Sequence, residues 1–411
     1  MKKNFTLLLI AVLVIGGSIF GILSFKNKTV DKDLPGMKER VDQLKNLSEW
    51  NVTSRQAGIL MTKIKSDRSD IKSQLSLASI MINEGRITGD HAYYDDAAMF
   101  YIDEVLAKDP SNFEALLYKA VVQLSQHNFA EAIETAEKAK NINPYNAFVY
   151  GILVDGFVEM GEYDSAVVNS DRMISIRPDL RSYSRISYLR EIHGDIPGAI
   201  EAMKMAVDAG SPGDESTEWS RVHLGKLYEQ QNDLQNAAMQ YEIALNERPG
   251  FAHALAAKGF LFQQQGKADS AKKYIYEAAA LNSDHGFVEN VAELHEIQGD
   301  KEKAMEGYKK LKISLEKEPN TNLAMADLYL KLGNTGKAVE CAKKEYERRP
   351  KNFEVNEMMA WTLYKNGEVE KAASYLEPAL KTNCQEKELR DRITEIKTAL
   401  KSADGTKSIN Q

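Results

Sequence analysis

Cysteine occurs only twice in 411 residues, at Cys341 and Cys384. So few thiols exclude a disulfide framework and any thiolate-rich zinc or iron–sulfur site. Neither lies near the N-terminus, which excludes lipid attachment there. A cationic surplus is also missing: 53 Lys+Arg stand against 60 Asp+Glu, a net charge of −7. Broad nucleic-acid binding needs cations to face phosphates, so nucleic acid is not an expected partner. The seven histidines never fall at the i, i+4 spacing of a helical metal pair, and H-E-x-x-H is absent. Phosphate-cradling loops of the G-x-x-x-x-G-K-[ST] or G-x-G-x-x-G kind are missing, as is a G-x-S-x-G nucleophile elbow. The chain therefore reads as a non-enzyme, with no cofactor and no metal site. Alternating strand patterns are lacking too, which leaves helices to build the fold.

One long uncharged run is present, Thr6 to Phe25, between Lys2-Lys3 and Lys26. Twenty helical residues span about 30 Å, the thickness of a bilayer's hydrocarbon core. A cleavable signal has an apolar core of about 7–15 residues and a small-x-small cleavage site. Here the run is longer, and Gly16-Gly17-Ser18 is followed at once by Ile19 and Phe20. Residues 1–28 are expected to be an uncleaved signal anchor, one transmembrane helix with the remainder outside the cytoplasm, periplasmic in a bacterial cell. Basic residues nearly tie on the two sides, so orientation rests on the short basic start. Gly17 and Gly21 form a G-x-x-x-G pair, a weak route to a homodimer. Removal of the first 25 residues would instead leave a secreted soluble protein.

Proline carries the main signal. Pro110, Pro144, Pro178 and Pro212 recur every 34 residues, and Pro249, Pro319 and Pro350 continue the phase. Ser283 and Cys384 fill the two slots without proline. Twelve residues before most slots stands an alanine, among them Ala98, Ala132, Ala166, Ala237, Ala271, Ala338 and Ala372. Five before those come turn-formers: Gly161, Gly194, Gly266, Gly299, Gly333 and Gly367, with His127 and Asn232 as variants. A further small residue precedes them at Ala120, Gly225, Gly259, Ala292, Ala326 and Ala360. Each unit thus reads helix A, turn, helix B, stop. Glycine accepts the left-handed conformation that ends helix A. Paired small residues let A and B cross closely, and proline cannot continue helix B. A period of this length marks a stacked array.

Val222 to Tyr228, then Ala237, Tyr241, Ala244 and Pro249, resemble the tetratricopeptide repeat (TPR) family at nearly every signature position, and so does Leu323 to Pro350. The resemblance covers residues 71–386, nine units, and implies an all-α, right-handed superhelical solenoid. Residues 29–70 read as a stalk and N-terminal helical cap, 387–401 as a polar capping helix, and 402–411 as a flexible tail. The first unit departs: Ala78 and Gly85 are in phase, but Arg86 to Tyr93 lengthen its turn, and helix B is expected to start near Ala97. Pro378 is expected to kink the last helix B.

In that family helix A lines a concave groove that holds a protein or peptide. Transferring its groove positions gives eleven acidic residues against five basic ones. The candidate contacts are Asp155, Glu159, Tyr188, Glu191, Trp219, Lys226, Glu229, Phe260, Glu289, Glu293, Glu296, Asp327, Trp361 and Tyr364. Such a groove suits a basic or aromatic segment. The Lys and Asn clamp of chaperone-tail binders is missing, since Leu117/Val121, Ala256/Phe260 and Leu323/Asp327 occupy its positions. The function implied is a membrane-tethered interaction scaffold; the alternative is a soluble repeat protein or an adaptor in an envelope or processing complex.

Overall fold

The computed structural model describes residues 34–45 and 48–409. The chain divides into residues 1–36 and 37–411, and every described helix belongs to the second unit. The Thr6–Phe25 run, with Gly17 and Gly21, lies outside the described residues. Among the described residues no helix is long and apolar enough to cross a membrane.

A short helix α1 (Asp42–Lys45) and α2 (Ser48–Ser66) precede nine helix pairs. The first four are α3 (Ile71–Thr88) with α4 (His91–Leu106), α5 (Phe113–Ser125) with α6 (Phe129–Ile142), α7 (Ala147–Glu159) with α8 (Tyr163–Ile176), and α9 (Leu180–Ile192) with α10 (Ile196–Asp208). The next four are α11 (Glu215–Gln230) with α12 (Leu234–Glu247), α13 (Ala252–Gln264) with α14 (Ala268–Leu281), α15 (His285–Ile297) with α16 (Lys301–Leu315), and α17 (Asn322–Lys331) with α18 (Thr335–Arg348). In the ninth, α19 (Phe353–Lys365) meets a broken helix B: α20 (Val369–Ala372), a 3₁₀ turn (Ala373–Tyr375) and α21 (Leu376–Ala379). The break falls in the turn before Pro378, whose ring cannot follow an unbroken helix. The last helix, α22, runs from Lys387 to Ile409. It passes Ser402, where a flexible tail was expected, and no proline stands in 387–409 to stop it.

The small-residue register is visible as burial. Ala98, Ala132, Ala166, Ala237, Ala271, Ala338 and Ala372 are fully buried, as are Ala120, Ala292, Ala326 and Ala360. At Gly225 a Cβ would lie 2.3 Å from the Tyr241 ring, so the crossing of α11 and α12 has no space for even alanine. Ser187, which departs from the pattern, is buried with its hydroxyl donating to the Ala199 carbonyl (2.7 Å). The A–B turns carry positive φ at His127, Gly161, Gly194, Asn232, Gly266, Gly299, Gly333 and Gly367. In the first unit the turn falls at Gly89 (φ 73°), not Gly85. Gly85 is instead helical and packs beneath Tyr94. Arg86 to Tyr93 therefore lengthen the two helices and leave a two-residue turn, with helix B starting at His91 rather than Ala97.

Contacts between residues about 190–200 apart show that the superhelix closes on itself. The turns ending helix A in the first four units meet the inter-unit turns found five to six repeats later. The Ser283 amide donates to the Thr88 carbonyl (2.8 Å), and the Asn320 side-chain amide donates to the Gln126 carbonyl (2.9 Å). The Asn352 side chain donates to the Glu159 carbonyl (3.1 Å), and the Phe353 amide to the Tyr163 hydroxyl (2.9 Å). These carbonyls are ones a helix C-terminus leaves unpaired. Arg349, 4% exposed, reaches from the end of α18 to Glu345 and across to Glu159, with its guanidinium over the Phe129 ring. Lys351 pairs with Glu162 (2.6 Å). The N-terminal cap joins the same seam: Arg40 bonds Glu84 and Glu49, and Glu49 bonds Arg248 (2.8 Å). Leu44 is buried against Ala252, Leu255 and Phe287.

The seam separates two kinds of glycine. At Gly161 a Cβ would stand 2.3 Å from the Lys351 backbone, whereas nothing lies within 4 Å at Gly333. Both have positive φ, which costs an L-residue roughly 1–2 kcal/mol. Gly333→Ala is expected to lose about that amount in denaturant unfolding, and Gly161→Ala at least about twice as much, because backbone must shift. Equal losses would contradict a packed seam.

Candidate functional site

From the third unit on, helix A presents a polar edge to the inside of the superhelix, and these edges join between neighbouring helices. Arg185 grips Asp155 (2.6 Å). Gln230 donates to Glu191 (2.6 Å), and Gln264 to Glu229 (3.1 Å). Lys331 meets Glu296 (3.3 Å), and Lys365 meets Glu395 (2.9 Å). Helix B braces the row from behind: the Tyr241 hydroxyl donates to Glu229 and the Tyr308 hydroxyl to Glu296.

Near the C-terminal end the inner face opens into a cavity of about 960 Å³. Lys226, Glu229, Glu296, Asp327 and Trp361 line it, five of the residues proposed from sequence. One wall is α22. Its Arg392 donates to Asp327 (2.8 Å) and Glu357 (3.4 Å), pairs with Glu388, and lies 5.4 Å from the Trp361 ring centre. Trp361 stacks on Tyr364 at 5.5 Å, and Lys365 sits 4.0 Å over the same indole. An arginine between carboxylates and an indole is a strong way to seat a cation.

The other proposed residues divide. Glu159 turns to the seam and Arg349. Asp155 lies away from the cavity in its pair with Arg185. Trp219 lies tilted against His223, with ring centres 3.8 Å apart, and packs beside Tyr241 and Phe251, while Phe260 packs against Ile275 and Leu294. Both aromatics fill gaps between helices. Tyr188 is 38% exposed on the inner face. Glu289 and Glu293 on α15 make no ion pair or hydrogen bond among the described residues. Arg392 was missed, because α22 read as a cap; the available signal was that it follows Glu357 by 35 residues, one more turn of the same clock.

Enclosure perturbs these acids. Burial, then the Glu293 and Asp327 charges, lifts Glu289 to about 7. Burial likewise lifts Glu357 to about 7 against the pull of Arg392, and raises Glu354, Glu293, Glu191 and Glu386. Lys226 is lowered by burial, despite facing Glu229 and Glu191. The face as a whole is a desolvated acidic surface that gains from a cation. Among the described residues, no group of three or more His, Cys, Asp or Glu is arranged to hold a metal ion.

Tetratricopeptide repeat models match residues 89–147, 252–285 and 323–386. These segments are tetratricopeptide repeats. The chain is similar to small glutamine-rich tetratricopeptide repeat-containing protein 2 of Saccharomyces cerevisiae, 28% identical over 182 residues, 44% of this chain and 49% of that protein. It is also similar to the Protein CTR9 homolog of Arabidopsis thaliana, 23% identical over 194 residues, 46% of this chain and 18% of that protein. The chain thus spans less than half the length of either relative. Among solved structures, the human IFIT1 dimer with PPP-AAAA superposes with a TM-score of 0.51 at 14% identity, covering 82% of this chain and 80% of that one. That likeness is one of fold. TPR proteins are in general interaction scaffolds, and the TPR matches indicate no catalytic family.

The raised Glu289 pKa fixes a sign. Its folded value of about 7 exceeds the unfolded value of about 4.3. Between those values the folded state holds a proton that the unfolded state has released, so stability falls as pH rises through that window. Glu289→Gln is expected to raise the melting temperature at pH 8 by roughly 2–4 °C and to change it little near pH 4. An equal change at both pH values would contradict the assignment.

Proposed function

We propose that the chain is a tethered interaction scaffold whose acidic inner face grips a basic segment of a protein or peptide partner. The observation that carries this reading is Arg392, seated between Asp327 and Glu357 beside Trp361. The chain's own arginine marks the chemistry that this TPR face receives, and the unpaired Glu289 and Glu293 extend the same surface on α15. Like charges across an interface oppose docking, so an acidic segment is disfavoured. The tether is the uncharged run Thr6–Phe25, whose length matches a bilayer core, with the repeats outside the cytoplasm.

An arginine-rich peptide is expected to bind the full chain, in fluorescence anisotropy, at least about tenfold tighter than a glutamate-rich one at low salt. Glu289→Lys with Glu293→Lys is expected to abolish that preference and flatten its salt dependence without lowering the melting temperature. Equal binding of both peptides to the unaltered chain would contradict the reading. For the tether, protease added outside intact spheroplasts is expected to digest the repeats. Their protection would reverse the orientation.

A further inference from the structure

Arginines gather on the first superhelical turn, and the acids beside them are already engaged. Arg177 pairs with Asp179 (3.0 Å), whose carboxylate also accepts the Arg181 and Ser182 amides and so caps α9. Arg185 holds Asp155 through two bonds (2.8 and 2.6 Å). Arg86, at the end of α3, reaches Glu215 at the start of α11 (3.0 Å). Arg181 is left over. Its side chain makes no ion pair or hydrogen bond among the described residues, and its exposed guanidinium lies 4.9 Å from the Phe148 ring centre. Burial, then the charge of Arg185, holds its pKa below the ordinary arginine value; Asp179 opposes this, while Arg86 and Arg177 add to it. An arginine resting on an aromatic face keeps its planar edge free, and that edge matches a carboxylate with two parallel hydrogen bonds.

Arg181 stands outside the acidic cavity but on a helix that leads to it. Further along α9, Tyr188 is exposed on the inner face, and Glu191 accepts a bond from Gln230 (2.6 Å), which lines the cavity. From Arg181 to Glu191 the helix rises about 15 Å. An extended chain covers that distance in about five residues. The two ends of this path have opposite needs: Arg181 lacks an anion, and Glu289 and Glu293 lack cations.

We propose that Arg181, seated on Phe148, is a second anchor of opposite sign that takes an Asp or Glu carboxylate of the bound segment, about five residues from the basic residue held at the cavity. The inference rests on the reading that the inner face grips a basic segment, and it adds a register to that reading. The segment is basic overall and carries one acid at a fixed spacing. A wholly basic segment would set like charge against Arg181, and a wholly acidic one would set it against Glu289 and Glu293. An arginine with an aromatic beneath it is also the composition that carries much of the energy at protein interfaces.

The test is fluorescence anisotropy with the full-length chain in a non-ionic detergent at low salt. The probes are peptides in which an arginine pair is joined to one glutamate by glycine–serine spacers of about three, five and seven residues, in both chain orders, each with a twin carrying glutamine for glutamate. In one order, the glutamate peptide with the middle spacer is expected to bind at least about tenfold tighter than its glutamine twin. Arg181→Gln is expected to remove that advantage while leaving the melting temperature and the binding of the glutamine twin unchanged. Arg181→Lys, which keeps the charge but not the planar fork, is expected to retain only part of it. Equal binding of every glutamate peptide and its twin, or an advantage that survives Arg181→Gln, would overturn the second anchor and leave the basic-segment reading standing. If no arginine-bearing peptide binds the unaltered chain, both fall.

Discussion

The side chains that cross from the second superhelical turn onto the helix ends of the first hold this molecule in its form. A helical array contacts only its neighbours, and its stability is ordinarily a sum of unit and nearest-neighbour terms. Here Asn320 and Asn352 donate to carbonyls about 190 residues earlier, and Arg349 carries a buried charge across to Glu159. Each neutral hydrogen bond contributes only about 1 kcal/mol net. Removing Arg349 leaves Glu159 without its cation, whereas Glu345 keeps Arg348; breaking a buried pair from one side costs about 3–5 kcal/mol. The seam therefore couples the first four repeats to the last four, and it sets how far apart the two rows of helix A stand.

That spacing makes the inner face what it is. Helix-A acids of both turns look into one narrow space, so Glu354 feels Glu159 from the other turn and Glu191 feels Glu386. In an open solenoid the same carboxylates would be solvated and ordinary. Enclosure removes water, raises their pKa values and leaves them short of cations. The chain meets part of that need itself through Arg392 and Lys365. On α15, Glu296 has Lys331, whereas Glu289 and Glu293 are left unmet among the described residues.

What could be read in the sequence was what repeats. Ala98, Ala237 and Ala271 recur because every unit needs the same close crossing, and each glycine turn recurs because helix A must end the same way. The seam follows no such rule. Its donors sit one residue before a stop position at Asn282, one after at Asn320 and two after at Asn352, and their acceptors are backbone carbonyls, which any sequence provides. Gly85 misled because phase was counted without allowing helix A of the first unit to lengthen. Trp219 and Phe260 were placed correctly on helix A, but each fills a gap between helices, Trp219 beside His223, Tyr241 and Phe251, and Phe260 against Ile275 and Leu294. Arg392 was legible in principle, one period beyond Glu357, and was hidden by reading the last helix as a solubility cap.

Hydrogen exchange at the seam tests the closed superhelix most directly. The Ser283 amide lies in an exposed inter-unit turn, and the Phe353 amide sits at the first residue of a helix, where no intrahelical acceptor exists. Both are held here by groups of the other turn, the Thr88 carbonyl and the Tyr163 hydroxyl. Protection of the two amides comparable to that inside α7 and α13 is the expected result. Exchange at the rate of an unstructured loop would mean that the turns stand apart, and that the enclosed acidic face does not exist in solution.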